Sequence, residues 1–449
     1  MSSREELNPS SREELNPSSR EELNPSSREE LNPSSREELN PSSRDYLLSP
    51  LAIRQRSRAL FDLAAQGGTH FQLHPENLSQ VAKLVIDITR KNYPTLAIPF
   101  HSRWGHFRAG GLDRLKNLRN ELSRFDPLER VRTLWDLVIP SVLLDAGAGD
   151  RWRFLEPNGT SVTRSEGLGV ASLALFESGA LSNEPKMPHR AQAQALQRFS
   201  STTLEQTFQV SPANPLIGCE GRAQLLRRLG QAVFEDAEHF PHAGPDRGEA
   251  RVGFLADFLV QRFGRVIPAP AILRAVLDAL GPIWPGRIQW QGKPLGDVWS
   301  HPALGPEGSF ESLVPFHKLS QWLTYSLIEP LQDSGFEVTE ISSLTGLAEY
   351  RNGGLILDGG LVSLRDPSLA SRAHRPDSPL IIEWRALTLA WLEQIAIEVR
   401  TQLQLDEQNL PLAKILEGGT WWAGRALARE KRPETAAPPL ELLSDGTVF

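Results

Sequence analysis

Apolar residues recur at helical spacing over residues 49–65 and 78–91, and again over 191–199, 223–233, 254–263, 272–280, 319–331 and 380–404. Steps of three and four put Leu, Ile, Val and Phe on one face, so each stretch predicts an amphipathic helix lying on a core. Strand signals are fewer. Residues 151–155 and Ser161-Val162, separated by Pro157-Asn158-Gly159, read as a hairpin. Residues 287–291 and Val298-Trp299, with Gly292-Lys293-Pro294-Leu295-Gly296 between them, read as a second strand pair. The expected fold class is mainly α with small β elements (α+β): a single large helical domain with short hairpins, over residues 45–431. No Pro/Gly/Ser linker long enough to divide two domains occurs before Arg432. The segment 432–449, with three prolines, reads as a loosely attached tail.

The first 44 residues break the pattern. An octapeptide, Ser-Ser-Arg-Glu-Glu-Leu-Asn-Pro, repeats five times over residues 2–41, and a sixth copy dissolves at Asp45-Tyr46. Each unit holds a small capping box, with Ser3 and Glu6 three apart, but its proline stops the helix before nucleation is repaid. One Leu per unit leaves stacked units almost nothing to bury. Residues 1–44 therefore read as a disordered repeat tail rather than a solenoid.

Charge follows the same division. The repeats carry five Arg against ten Glu, which accounts for −5 of the formal net charge of −7. A near-neutral body argues against a nucleic-acid footprint or a polybasic membrane face. The single cysteine, Cys219, allows no internal disulfide, and its neighbours Leu216-Ile217-Gly218 suggest a buried, inert thiol. No apolar run reaches 18 residues and the start of the chain is polar, so the expected location is the cytoplasm.

Five stretches combine polar, aromatic and glycine residues beyond what a plain core needs. His101-Ser102-Arg103-Trp104-Gly105-His106-Phe107 suits a phosphate or hydroxyl contact through Arg103 and His106, and equally a packing loop. Its two histidines lie five apart with no acid between, which is poor metal spacing. Residues 136–149 run from an apolar segment into Leu143-Leu144-Asp145-Ala146-Gly147-Ala148-Gly149. An acid there is placed for general-base or electrostatic work, and the glycines would let backbone approach a sugar. Glu166 opens a helical stretch, where the macrodipole alone could explain it. His317, Lys318 and Gln321 crowd one helix start, with Lys318 and Gln321 three apart on a face. Glu349-Tyr350-Arg351-Asn352-Gly353-Gly354 and, later, Glu383-Trp384-Arg385 read as a buried charge network.

Taken together, Ser49-Pro50-Leu51-Ala52-Ile53-Arg54 and residues 104–111, 140–149, 315–325 and 349–354 resemble an uncharacterised-domain family of the uracil-catabolism pathway, of the Urc-four or Urg-three type. The resemblance covers residues 46–432. It implies a role in releasing urea from a pyrimidine by a route through uridine monophosphate, without naming the reaction. A more distant likeness is to the queuosine 5'-phosphate nucleosidases, which hydrolyse an N-glycosidic bond in a ribose phosphate. It rests on Trp152 followed by Gly159 and Glu177-Ser178-Gly179, then Lys318-Leu319-Ser320-Gln321, Glu349-Tyr350-Arg351 and Glu383-Trp384-Arg385, in that order. Where those nucleosidases have an aromatic-rich run before the tryptophan, this chain has residues 143–149. The loss of stacking surface suits a small leaving group such as urea, and it leaves Asp145 and Asp150 as alternatives for the carboxylate.

The expected activity is N-glycoside hydrolysis of a ribosylurea 5-phosphate-like intermediate to urea and ribose 5-phosphate. Asp145 is expected to stabilise the oxocarbenium-like state, with Glu349 as second acid or hydroxyl acceptor. Arg103, Lys318 and Arg351 are the phosphate candidates. His106, Trp152, Glu166, His317, Gln321, Tyr350, Glu383 and Arg385 complete the substrate-binding set. Neither metal nor organic cofactor is required, and the partner is a small sugar phosphate. The rival readings are a non-catalytic pathway partner and a pyrimidine-nucleotide ring-opening hydrolase.

Overall fold

A computed structural model describes residues 42–145, 147–149, 151–284 and 288–443. The octapeptide repeats and Asp150 lie outside these residues. The described chain is mainly helical, and its strands form only two-stranded sheets. It groups into two compact units that share the chain between them. Among the described residues, the first unit takes 99–284 and 322–341; the second takes 42–98, 288–321 and 342–443.

In the first unit the helix Pro127–Leu143 begins with Asp126, whose carboxylate accepts from the Leu128 and Glu129 amides at 2.9 and 3.0 Å. Pro127 follows at the first helical position, where its missing N–H costs nothing. Pro140 lies inside this helix, so the apolar segment that leads toward Asp145 is one continuous helix up to Leu143. Asp136 on its inner face is fully buried and accepts from Arg251 Nε (2.8 Å) and the Gly253 amide (2.7 Å). Burial pushes Asp136 up to about 6, against the pull of Arg251. Position 253 admits only glycine, because a Cβ there would lie 2.2 Å from the Arg132 carbonyl oxygen. The hairpin forms as expected, Arg153–Leu155 against Ser161–Thr163, with Phe154 opposite Val162. Val266–Pro268 pairs parallel with Glu337–Thr339.

The second unit is built on the long helix Pro379–Leu403, which packs on Pro50–Ala65 and Leu78–Asn92. Ile53, Leu60, Trp299, Val314, Phe316, Ile382 and Ala386 share one core cluster. Ser49 caps Pro50–Ala65 through the Ala52 amide, at 3.2 Å. The second strand pair differs from expectation. Gln291 and Gly292 both adopt positive φ (52° and 73°), so Gln289–Trp290 turns back at once onto Lys293–Pro294. Val298–Ser300 is thereby left to pair with Leu313–Pro315.

The end of the chain is also held more firmly than its prolines suggest. Arg432 forks onto Asp358, Leu440 is fully buried, and Glu441–Leu442 pairs parallel with Ala373–His374. The tail up to residue 443 is thus anchored by an ion pair, an apolar plug and a short ladder.

Candidate functional site

The candidate residues fall into two sets, one in each unit. In the first unit the short helix Arg103–Phe107 supplies Arg103 and His106. Arg103 is completely buried. Its Nη1 donates to His106 Nδ1 (2.7 Å) and the Ser165 carbonyl (3.1 Å), and its Nη2 donates to the Ser141 carbonyl (2.5 Å). A guanidinium can only donate, so His106 Nδ1 accepts and the neutral imidazole carries its proton on Nε2. The Trp322 ring lies 5.2 Å from the Arg103 guanidinium and 5.8 Å from the His106 ring. A cation gripped by two carbonyls, one imidazole and an indole face has one orientation.

Asp145 sits just past the end of Pro127–Leu143, its amide bonded to the Val142 carbonyl at 3.1 Å. Its Oδ1 lies 3.4 Å from Arg103 Nη2. That is within ion-pair range but long for a charge-assisted hydrogen bond. Buried as it is, this oxygen has no closer donor among the described residues. Burial lowers the pKa of Arg103, and the charges of Asp145 and Glu166 oppose that shift. Arg103 nevertheless stays a cation at neutral pH. Glu166, buried in the first turn of Arg164–Glu177, therefore acts on the same cation as Asp145, beyond any macrodipole role.

Two glycines make this geometry possible. A Cβ at Gly169 would stand 2.8 Å from His106 Cβ and 3.2 Å from Arg103 Nη1. One at Gly167 would stand 2.9 Å from the Trp152 ring. Trp152 itself is fully buried, stacks on Phe208 and gives its indole N–H to the Phe208 carbonyl at 2.9 Å. Its one polar atom is spent on the fold, so the structure places it as a wall under Arg164–Glu177 rather than as a substrate contact.

The second unit gathers His317, Lys318 and Gln321 at the start of the helix Lys318–Asp333. Asp297, which the sequence did not single out, organises them. Its carboxylate accepts from both Nη atoms of Arg385 (2.8 and 2.7 Å), from Trp299 Nε1 (2.7 Å) and from the Lys318 amide (3.0 Å). Burial works against its ionisation. The Arg385 charge and these hydrogen bonds outweigh it and hold Asp297 well below the usual carboxylate range. Arg385 also lies over Phe316, 4.1 Å from the ring centre. His317 takes a left-handed φ of 48° and donates Nε2–H to the Leu47 carbonyl at 2.9 Å. Burial depresses the pKa of His317 and keeps the ring neutral.

Elsewhere in this unit Glu349 is the cap of the helix Tyr350–Asp358, accepting from the Arg351 and Asn352 amides at 2.7 and 2.5 Å. Both its oxygens are engaged, which reduces its fitness as the second acid. Tyr350 packs against the Arg351 guanidinium, and Arg351 Nη1 donates to the Ala436 carbonyl. Burial, then the charges of Arg425, Arg429 and Arg432, bring Arg351 down to about 9. Glu383 is held by the His70 amide and ring and by His301, at 2.8, 2.9 and 3.1 Å. Glu383 thus pins elements together. Cys219 opens the helix Cys219–Glu235 in the first unit, and burial pushes its thiol up, which disfavours the reactive thiolate. Among the described residues no group of three or more His, Cys, Asp or Glu is placed to hold a metal ion, and no helix is long and apolar enough to cross a membrane.

Comparison with known proteins adds a family to this geometry. Uracil catabolism protein 4 of Lachancea kluyveri is 36% identical over 440 residues, covering 90% of this chain and 98% of that protein. Protein urg3 of Schizosaccharomyces pombe is 37% identical over 411 residues, with the same coverage of each chain. A family described as "Protein of unknown function (DUF1688)" matches residues 46–449, the whole chain beyond the repeats. Since that match spans most of the sequence and both relatives align over nearly their full length, the chain belongs to the DUF1688 family, alongside a protein named for uracil catabolism.

Proposed function

We propose that this protein is an N-ribosyl hydrolase of uracil catabolism that cleaves a ribosylurea 5-phosphate-like intermediate to urea and ribose 5-phosphate. The observation that carries the reading is Asp145 Oδ1, a buried carboxylate oxygen 3.4 Å from the fixed Arg103 cation, with no closer donor among the described residues. Leaving-group departure puts positive charge on the sugar C1 and ring oxygen. A preorganised carboxylate in a water-poor site stabilises that charge far better than water does. Asp145 then accepts a proton from the water that attacks C1. The C1–N bond breaks and the departing ureido nitrogen takes up a proton, so one water is consumed per urea released. Arg103 fixes the position of Asp145, and Trp322 and His106 hold Arg103.

Urea release supplies the test. Purified protein incubated with ribosylurea 5-phosphate is expected to yield urea and ribose 5-phosphate in equal amounts. Folded protein that yields neither removes the hydrolase reading.

A further inference from the structure

The backbone around Asp145 is held by a second arginine, from another helix of the same unit. Beyond Leu143 the helix Pro127–Leu143 runs out of intrahelical partners, so the carbonyls that follow need donors from elsewhere. Arg222 supplies them. Its Nε donates to the Leu144 carbonyl at 3.0 Å, directly before Asp145, and its Nη2 to the Gly147 carbonyl at 2.9 Å, just after it. Its Nη1 donates to the Ile217 carbonyl, on the turn that opens its own helix, Cys219–Glu235. Gly218 completes that turn at φ 76°, and a Cβ there would lie 3.3 Å from Nη1. Gly149 meets the same turn, since a Cβ there would stand 3.1 Å from Ile217 Cδ1. One planar group thus ties the main chain on both sides of Asp145 to a single turn. The position is a costly one for a cation. Arg222 is 3% exposed and stands in the first turn of its helix, where the macrodipole disfavours positive charge.

We propose that Arg222 is a positioning residue for Asp145. The assignment rests on the N-ribosyl hydrolase reading of the function. Arg103 Nη2 stands 3.4 Å from the carboxylate, and Arg222 holds the main chain that bears it. A carboxylate that stabilises charge at the sugar C1 works only from a fixed place, and a shift of about 1 Å can cost on the order of 100-fold in rate. Lysine at position 222 would keep the charge, but it is a point donor on a flexible stem and cannot span three carbonyls from one plane. The clamp therefore needs a guanidinium, and its loss falls on turnover rather than on substrate affinity.

A double-mutant cycle with Asp145→Asn separates positioning from a merely structural role. Urea release from ribosylurea 5-phosphate is measured for the native protein, Arg222→Lys, Asp145→Asn and the pair, each shown to be folded by circular dichroism. Arg222→Lys is expected to lower kcat roughly 10- to 100-fold with KM little changed. It should lower kcat hardly further once Asp145 is asparagine. Where Arg222→Lys does not fold, Gly218→Ala takes its place in the cycle: it keeps the guanidinium, crowds Nη1, and should give a smaller fall with the same dependence on Asp145. An equal fall in both backgrounds overturns the assignment, since Arg222 would then act through the fold at large. Full kcat in the folded variant overturns it too, and either result leaves the hydrolase reading standing. Full kcat in Asp145→Asn also overturns it, because the carboxylate to be positioned would lie elsewhere. A native protein that releases no urea removes the hydrolase reading and this assignment with it.

Discussion

Replacing Asp297 by Asn tests whether one acid organises the helix start that bears His317, Lys318 and Gln321. Arg385 is fully buried, and both its Nη atoms are spent on this carboxylate. Asparagine keeps much of the shape but removes the charge and turns one acceptor into a donor aimed at a guanidinium. Breaking one side of a buried ion pair typically costs about 3–5 kcal/mol, because the other charge is left uncompensated. Two further bonds, from Trp299 and the Lys318 amide, are weakened as well. Urea denaturation should therefore show a loss near the middle of that range. The pH dependence has a defined sign. A carboxyl with a depressed folded pKa stabilises above its unfolded value, roughly 4, and the contribution fades as pH falls toward the folded value. The native protein should thus lose stability below about pH 4, and the variant should lose less over that window. Hydrogen exchange should speed up at the amides of residues 317–321. A paired change, Asp297→Leu with Arg385→Met, should recover most of the loss, since apolar replacements remove both charges together. A single variant within about 1 kcal/mol of native stability, with exchange unchanged, would refute the reasoning.

Gly169→Ala should disturb the first-unit site more than the fold. The new methyl meets His106 Cβ and Arg103 Nη1 at 2.8 and 3.2 Å. Overpacking costs about 1–3 kcal/mol and the gain in helix propensity returns about 1, so a small net destabilisation is expected beside a large fall in urea release. Full activity in a crystal structure with Arg103 unmoved would contradict that geometry. Deleting residues 2–41 should leave turnover unchanged, since the family match begins at residue 46; a steady-state comparison of the two chains checks it.

The long helices were legible because each repeats its apolar residues over three or more turns. Pro50–Ala65, Leu78–Asn92 and Pro379–Leu403 fall within a residue or two of the expected limits. Pro127–Leu143 was only half visible, since Pro140 and an almost unbroken apolar stretch hide the period of a helix buried on most sides. Three-residue strands such as Phe71–Leu73 against Val362–Leu364 carry no period at all, and their partners lie far off in sequence. The candidate site was legible in parts. Arg103, His106, Asp145 and Glu166, on three segments, come together around one cation. Glu349 and Glu383 looked equally chemical, yet one caps a helix and the other binds two histidines. Residue type alone cannot separate those uses. Asp297 was missed because its only local signal is an acid after the glycine of a turn, and its partner Arg385 stands 88 positions later.

Asp145 is where the account is most exposed. An Asp145→Asn variant, shown by circular dichroism and denaturation to be folded, should be compared with the native protein for urea release from ribosylurea 5-phosphate. Loss of a preorganised charge and general base predicts a fall of about 100- to 1,000-fold in kcat, with KM little changed. Undiminished kcat in the folded variant would show that the chemistry belongs to another carboxylate.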